Sequence, residues 1–228
     1  MIKNKYIKMI LVLVFIFSFM KVDTSYANIS ESLNFKNITI EDGLSQSTVE
    51  SIYQDSRGYI WIGTNDGLNR YNGYEFKHYK HDKYDENSIA NNYIVDIIED
   101  KNGYIWVSTI GGLSKINPDT DKVKNYYSKE DSGNLSNNNL WQILCTKDNK
   151  IIASTVDGLN LYDEKNDKFV RVLENELPSQ YIYSVKDDLY GNIWVGTDNG
   201  LIELNKDLEI IKRYEDTIGN SEVYNIYI

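Results

Sequence analysis

The stretch Gly58-Tyr-Ile-Trp-Ile-Gly-Thr-Asn-Asp-Gly-Leu-Asn-Arg-Tyr-Asn-Gly73 decides the fold, because it does not occur alone. Taken singly, its glycines, its tryptophan between isoleucines and its Thr-Asn-Asp cluster suit a ligand loop. Displaced by 45 residues it returns as Gly103-Tyr-Ile-Trp-Val-Ser-Thr-Ile-Gly-Gly-Leu113. A third copy, Asn149-Lys-Ile-Ile-Ala-Ser-Thr-Val-Asp-Gly-Leu159, lies 46 further on, and a fourth, Gly191-Asn-Ile-Trp-Val-Gly-Thr-Asp-Asn-Gly-Leu201, follows after 42. Each copy has a leader of one design: Val49-Glu-Ser-Ile52, Ile94-Val-Asp-Ile97, Leu140-Trp-Gln-Ile143 and Ile182-Tyr-Ser-Val185. A fifth leader, Val223-Tyr-Asn-Ile226, stands near the end of the chain. Self-similarity at this period means a stacked or radial array, and it outranks any local motif.

Helical periodicity and capping boxes before apolar runs are missing. Each unit instead holds four short strand-type segments, in the first unit about 49–54, 59–64, 68–71 and 75–79. Asp55-Ser-Arg-Gly58, Asp100-Lys-Asn-Gly103 and Asp188-Leu-Tyr-Gly191 join the first two segments. Asp caps such a turn through its side chain, and Gly supplies the positive φ. Gly67, Gly112, Gly158 and Gly200 recur between the second and third segments, a backbone position that excludes a Cβ. Four antiparallel strands repeated at this period predict an all-β fold, a β-propeller of four-stranded blades. About four and a quarter blades are expected, in an incomplete ring: 44–85, 89–131, 135–174, 177–215 and the start of a fifth at 218–228. Phe35 to Ile40 is expected to be an outer strand of a closing blade. Covering both faces of each sheet by neighbours is the expected reason why the leaders are apolar three residues apart. Trp61, Trp106 and Trp194 are expected to pack between blades, with Ile152 in that place in the third.

Residues 1–27 are set apart from the fold. Lys3, Lys5 and Lys8 precede an apolar run from Met9 to Met20, and Ser25-Tyr-Ala27 ends it in a small-x-small pattern. This is the form of a secretory signal peptide cleaved after Ala27, with an uncleaved anchor as the alternative. Its loss takes four lysines and one acid, so the formal charge moves from −10 to −13. An acidic exported domain is a poor nucleic-acid binder, since phosphate affinity comes from clustered Lys and Arg. The single Cys145 excludes an internal disulfide, and its apolar surroundings fit a buried small hydrophobe.

Asp42-Gly-Leu-Ser45, followed by Asp55-x-x-Gly58-Tyr-Ile-Trp-Ile-Gly-Thr-Asn-Asp-Gly-Leu-Asn-Arg-Tyr-Asn-Gly-Tyr-Glu-Phe76, resembles the start of the two-component-regulator propeller family. The resemblance covers residues 35–228. It implies the extracytoplasmic sensor region of a hybrid histidine kinase or a diguanylate cyclase, at the cell surface or on the periplasmic side of the cytoplasmic membrane. Family members resemble two propellers, an immunoglobulin-like domain, a membrane helix and a cytoplasmic output, so this chain is expected to be an N-terminal fragment. Its implied partners are the absent membrane and output domains or a partner kinase or cyclase, with a homodimer in the full-length receptor.

No catalytic residue, metal site or cofactor is expected. His78 and His81 sit on or after an outer strand among lysines, and the Asp-rich turn Asn117-Pro-Asp-Thr-Asp-Lys122 lacks the calcium-loop pattern. Thr64, Thr109, Thr155 and Thr197 repeat before a glycine turn, a closing role for their hydroxyls. Ligand candidates lie where the repeats differ, in the segments entering the inner strands: Gln46, Asn91, Asn92, Tyr93, Asn138, Asn139, Trp141, Gln180, Tyr181 and Tyr183. Amides beside aromatics suit a small polar ligand or an oligosaccharide, although Asn and Ser also make turns, and Trp141 and Tyr183 also suit blade packing. A non-catalytic sensor is the leading expectation. A propeller enzyme of lyase or hydrolase type and an envelope protein-interaction platform are the alternatives.

Overall fold

The computed structural model describes residues 35–128, 135–214 and 221–228. The expected signal peptide lies outside them, as do the expected ends of the second and fourth blades within 129–134 and 215–220. The chain divides into two units: Met1–Asn37, of which 35–37 form no regular structure, and Ile38–Ile228, which carries the sheets.

Four separate four-stranded antiparallel sheets follow one another in chain order. The first holds β1 (Val49–Gln54), β2 (Ile60–Thr64), β3 (Gly67–Tyr71) and β4 (Phe76–Tyr79). The second holds β5 (Ile94–Glu99), β6 (Ile105–Thr109), β7 (Gly112–Asn117) and β8 (Lys122–Tyr126). The third holds β9 (Leu140–Cys145), β10 (Ile151–Thr155), β11 (Gly158–Asp163) and β12 (Lys168–Val172). The fourth holds β13 (Ile182–Asp187), β14 (Ile193–Thr197), β15 (Gly200–Leu204) and β16 (Ile210–Arg213). The first strands β1, β5, β9 and β13 pack on one another in sequence, and the fourth strands make no comparable contact. The sheets therefore radiate as propeller blades from inner first strands, and the ring is not closed.

Two pieces depart from expectation. Residues 35–39 form no strand and Ile40–Asp42 is a single 3-10 turn capped by Thr39. An outer strand needs a third strand to pair with, and every described third strand already has its fourth. Residues 221–228 likewise form no strand, since a leader's ladder partner is the second strand of its own blade. Val223 N still donates to Thr197 O (2.9 Å), so the segment lies against the fourth blade.

The apolar spacing of the leaders has a cause that alternation does not provide. In each sheet the first strand slips against the second by one extra residue. Val49 faces Thr64 and Ser51 faces Gly63, leaving Glu50 unmatched, and Val95, Trp141 and Tyr183 are the equivalents. This β-bulge shifts the alternation by one, so that the first and fourth leader residues share a face. Ile94, Ile97, Leu140, Ile143, Ile182 and Val185 are accordingly buried, while Val49 (38% exposed) and Ile52 (67%) stand on the first blade's uncovered face.

The Asp-x-x-Gly turn and the tryptophan are one unit. Asp55 Oδ1 accepts from Arg57 N (3.0 Å) and Tyr59 N (2.9 Å), and its Oδ2 accepts from Trp61 Nε1 (2.8 Å). Asp100 repeats the set with Asn102 N, Tyr104 N and Trp106 Nε1, and Asp188 with Tyr190 N, Asn192 N and Trp194 Nε1. In the third blade Ile152 has no indole N–H, and Thr146 stands in place of the aspartate, accepting Lys150 N through its hydroxyl (3.0 Å). Trp61 and Trp106 are fully buried between blades, whereas Trp194 is only half-buried.

Glycine is demanded where blades approach. A Cβ on Gly63 would lie 2.5 Å from Ile94 Cγ2 of the next blade. Gly63→Ala should therefore destabilise the full chain by about 1–3 kcal/mol, as overpacking does. Trp106→Ala should cost about 3–5 kcal/mol and Trp194→Ala clearly less, as read from urea unfolding midpoints at constant slope.

Candidate functional site

The bulges place one unpaired residue from each inner strand at the same mouth of the array: Glu50, Val95, Trp141 and Tyr183. Glu50 and Trp141 stand beside the residues that enter the next inner strands, Tyr93 and Tyr181. Tyr93 Oη donates to Glu50 Oε1 (3.4 Å) across the first pair of blades. Further round, aromatic rings run in an unbroken row. Trp141 meets Tyr181 at 6.3 Å and Tyr183 at 5.6 Å between centroids, Tyr181 meets Tyr183 at 5.1 Å, and Tyr183 meets Tyr224 at 4.5 Å. Trp141 remains 38% exposed, so its indole face is open to solvent. Tyr224 donates to Glu222, which pushes the Tyr224 hydroxyl up to about 12. The result is an aromatic strip with an acid, Glu222, at its Tyr224 end.

The amide candidates are used differently. Gln46 bonds Thr48, Asn91 Oδ1 accepts Tyr93 N (2.9 Å), and Asn92 Oδ1 accepts His81 N (2.7 Å). Asn138 Oδ1 accepts Ser128 N (2.6 Å), and Gln180 bridges Arg171 and Glu174 O. These side chains tie the entry loops together. Asn139 is held through its main chain, by Asn137 Oδ1 and Val156 N, so its amide is left for other contacts among the described residues. The structure thus gathers Trp141, Tyr181, Tyr183 and Asn139 along the third and fourth inner strands, with Tyr93 beside Glu50, and commits the other amides to loops.

The recurring threonines close the second turn. Thr64 Oγ1 donates to Gly67 O (2.8 Å) and accepts Asp66 N (3.1 Å), and Thr109, Thr155 and Thr197 repeat both bonds. The following glycines have φ between +112° and +138°, where a Cβ is strained. His78 donates to Gly43 O (2.7 Å) and His81 to Ile89 O (2.8 Å), so both rings hold main chain. Burial pushes the half-buried Cys145 thiol up.

One contact at the outer rim joins residues too far apart for the sequence to pair. Tyr79 Oη donates to Asp121 Oδ1 (2.5 Å), and Tyr126 Oη donates to Asp167 Oδ1 (2.5 Å). Each latch runs from a fourth strand to the outer turn of the following blade, where the aspartate takes a left-handed backbone (φ 56° and 50°). The available signal is a tyrosine ending a fourth strand and an aspartate closing an outer turn one repeat later. Asp121 belongs to the Asp-rich turn, which is a hairpin turn here. Burial alone would raise the Asp167 carboxyl, but Lys124, Tyr126 and Tyr162 outweigh it and hold it at about 2. A depressed acid stabilises the fold above its unfolded value, near 3.9, and loses that contribution as pH falls toward about 2. Asp167→Asn should therefore flatten the pH dependence of unfolding between about pH 4 and pH 2, measured by acid-titrated urea denaturation.

Residues 43–66 and 88–111 match the two component regulator propeller family. Over 77 residues the chain is 43% identical to histidine kinase P4 of Formosa agariphila, a stretch that covers 34% of this chain and 6% of that protein. Its fold is similar to the extracellular domain of a protein assigned as a hybrid two component system of B. thetaiotaomicron, with a TM-score of 0.68 and 27% identity over 75% of this chain and 25% of that one. It also shares a fold, at TM-score 0.55 and 16% identity, with virginiamycin B lyase of Staphylococcus aureus, over 71% of this chain and 54% of the lyase. The chain spans only a small part of the kinase and about a quarter of the two-component domain.

Proposed function

We propose that this chain, which carries two component regulator propeller repeats, is a non-catalytic, exported ligand-sensing module of a two-component-type receptor. The observation that carries the reading is the aromatic strip Trp141, Tyr181, Tyr183 and Tyr224, supplied by β9, by β13 with the residue before it, and by the segment 221–228. Flat rings with exposed faces bind the apolar faces of cyclic polar ligands, while a flanking acid and an amide accept and donate to hydroxyls. Glu222, beside Tyr224, and Asn139, two residues before Trp141, are placed for that. A small oligosaccharide is the ligand class this chemistry fits best.

Because the strip is assembled across blades, a ligand lying on it touches more than one blade at a time. Binding then favours one relative arrangement of blades over another. That differential affinity is what a receptor transmits to a membrane partner or output region. Likeness to two-component proteins supports the same direction, and the likeness to the lyase supports the fold alone.

Titration of the full chain with oligosaccharide pools should quench or shift tryptophan emission, since Trp141 is the solvent-facing indole of the strip. Trp141→Ala and Tyr183→Ala should each weaken binding about tenfold or more, in calorimetry as well as fluorescence. Saturable binding that both variants retain would remove the strip from the site.

A further inference from the structure

The outer seam between the first and second blades is filled, and the next seam is open. In the first, Arg57 reaches Glu99 (3.3 Å), Gly103 O (3.3 Å) and Asp119 (3.2 Å). Arg70, cross-strand from Trp61, lies over Tyr59 and Trp61, donates to Pro118 O (2.9 Å) and has the Asp121 carboxylate at 3.6 Å. Each cation of that seam has an anion.

The second seam repeats the backbone with other side chains. Asn102 stands in the turn position of Arg57, and Lys115, cross-strand from Trp106, stands in that of Arg70. Lys115 Nζ lies over the rings of Tyr104 (4.3 Å), Trp106 (4.9 Å) and Tyr162 (5.1 Å), and 3.5 Å from Tyr162 Oη. Asp167, the counterpart of Asp121, is occupied by Lys124, Tyr126 and Tyr162. Among the described residues neither Lys115 nor Lys122 pairs with a carboxylate. With the shorter Asn102 at its edge lies a groove of about 540 Å³, lined by Tyr104, Tyr162 and the cations Lys115, Lys122 and Lys124 against the acids Glu164 and Asp167, the latter already engaged by Lys124.

We propose that this groove binds a small organic anion, a carboxylate or sulfo group carried on a ring. An ammonium held on aromatic faces without a counterion forms a charge-assisted bond at little further cost in ordering. The partly exposed rings of Tyr104 and Tyr162 then offer apolar surface to the body of the ligand, while Tyr126 is buried beneath them. Tyr126 and Tyr162 spend their hydroxyl protons on Asp167, so Lys115 and Lys122 supply the charge recognition. The site is distinct from the inner-mouth strip and does not depend on the function proposed for it.

Saturation-transfer NMR on the full chain, with benzoate and benzenesulfonate as probes and benzyl alcohol as the uncharged comparison, tests the proposal. The expected result is saturable binding of one or both anions and none of the alcohol. Lys115→Met keeps the aliphatic stem, and Asn102→Arg restores the residue that fills the first seam, so both variants are compatible with the fold. Each should weaken binding about tenfold or more, while Lys212→Met, whose ammonium lies over Tyr214 in the fourth blade, should not. Binding of benzoate alone or benzenesulfonate alone identifies the preferred head group. Absence of saturable binding, equal binding of benzyl alcohol, or unchanged affinity in both variants would overturn the proposal.

Discussion

A carboxylate that takes two main-chain amides on one oxygen and an indole N–H on the other holds each tryptophan-bearing blade together. It fixes the turn between the first two strands and, through the same side chain, the orientation of the ring that the next blade packs against. A buried carboxylate is costly unless its hydrogen bonds are complete, and here they are complete only when turn and ring are both in place. Local hairpin geometry and blade-to-blade packing are therefore coupled by one residue. The third blade supports the coupling from the opposite side. Where the tryptophan is replaced by Ile152, the aspartate is replaced as well, by Thr146, whose neutral hydroxyl serves the turn without a charge to satisfy.

The same logic of partner and substitute runs through the seams. The first is closed by Arg57 and Arg70 with acids from the next blade, whereas the second keeps one cation, Lys115, and its corresponding acid, Asp167, is taken by Lys124, Tyr126 and Tyr162. Repeats hold the backbone constant, so an exchanged side chain appears as a local change in packing or charge. That makes the departures from the repeat more informative than the repeat itself.

Much of the fold was legible in the sequence because its signals are local and repeated. Turn chemistry at Asp55, Gly67 and their copies, with short strand segments between, places four strands per blade within a residue or so. The bulge was not legible, because apolar residues three apart are explained equally well by sheets buried on both faces. The strand expected at Phe35–Ile40 failed because a strand-like composition says nothing of a free edge to pair with. At the candidate site the aromatic row came out of the sequence as separate residues, Trp141, Tyr181 and Tyr183, and Tyr224 completes it only in space. Most of the amides were ambiguous by nature, since Asn91, Asn92 and Asn138 use for loop closure the same oxygen atoms that a ligand would use. The Tyr79–Asp121 and Tyr126–Asp167 latches lay beyond reach, each joining residues about one repeat apart.

The bulge on each inner strand has a consequence for change over time. In the second to fourth blades leader residues one and four are fixed by burial, and residue three touches the neighbouring strands, as when Asp96 accepts Ile143 N (3.2 Å) and Gln142 accepts Val185 N (2.8 Å). The second residue is the bulge's extra residue, unmatched in the ladder, and its contacts, such as Glu50 with Tyr93 and Trp141 with Tyr183, are with other residues of the mouth. Glu50, Val95, Trp141 and Tyr183 show how far its identity ranges while the blades stay alike. A mouth built from such positions is free to drift toward new ligands with little change in the stability of the scaffold beneath it.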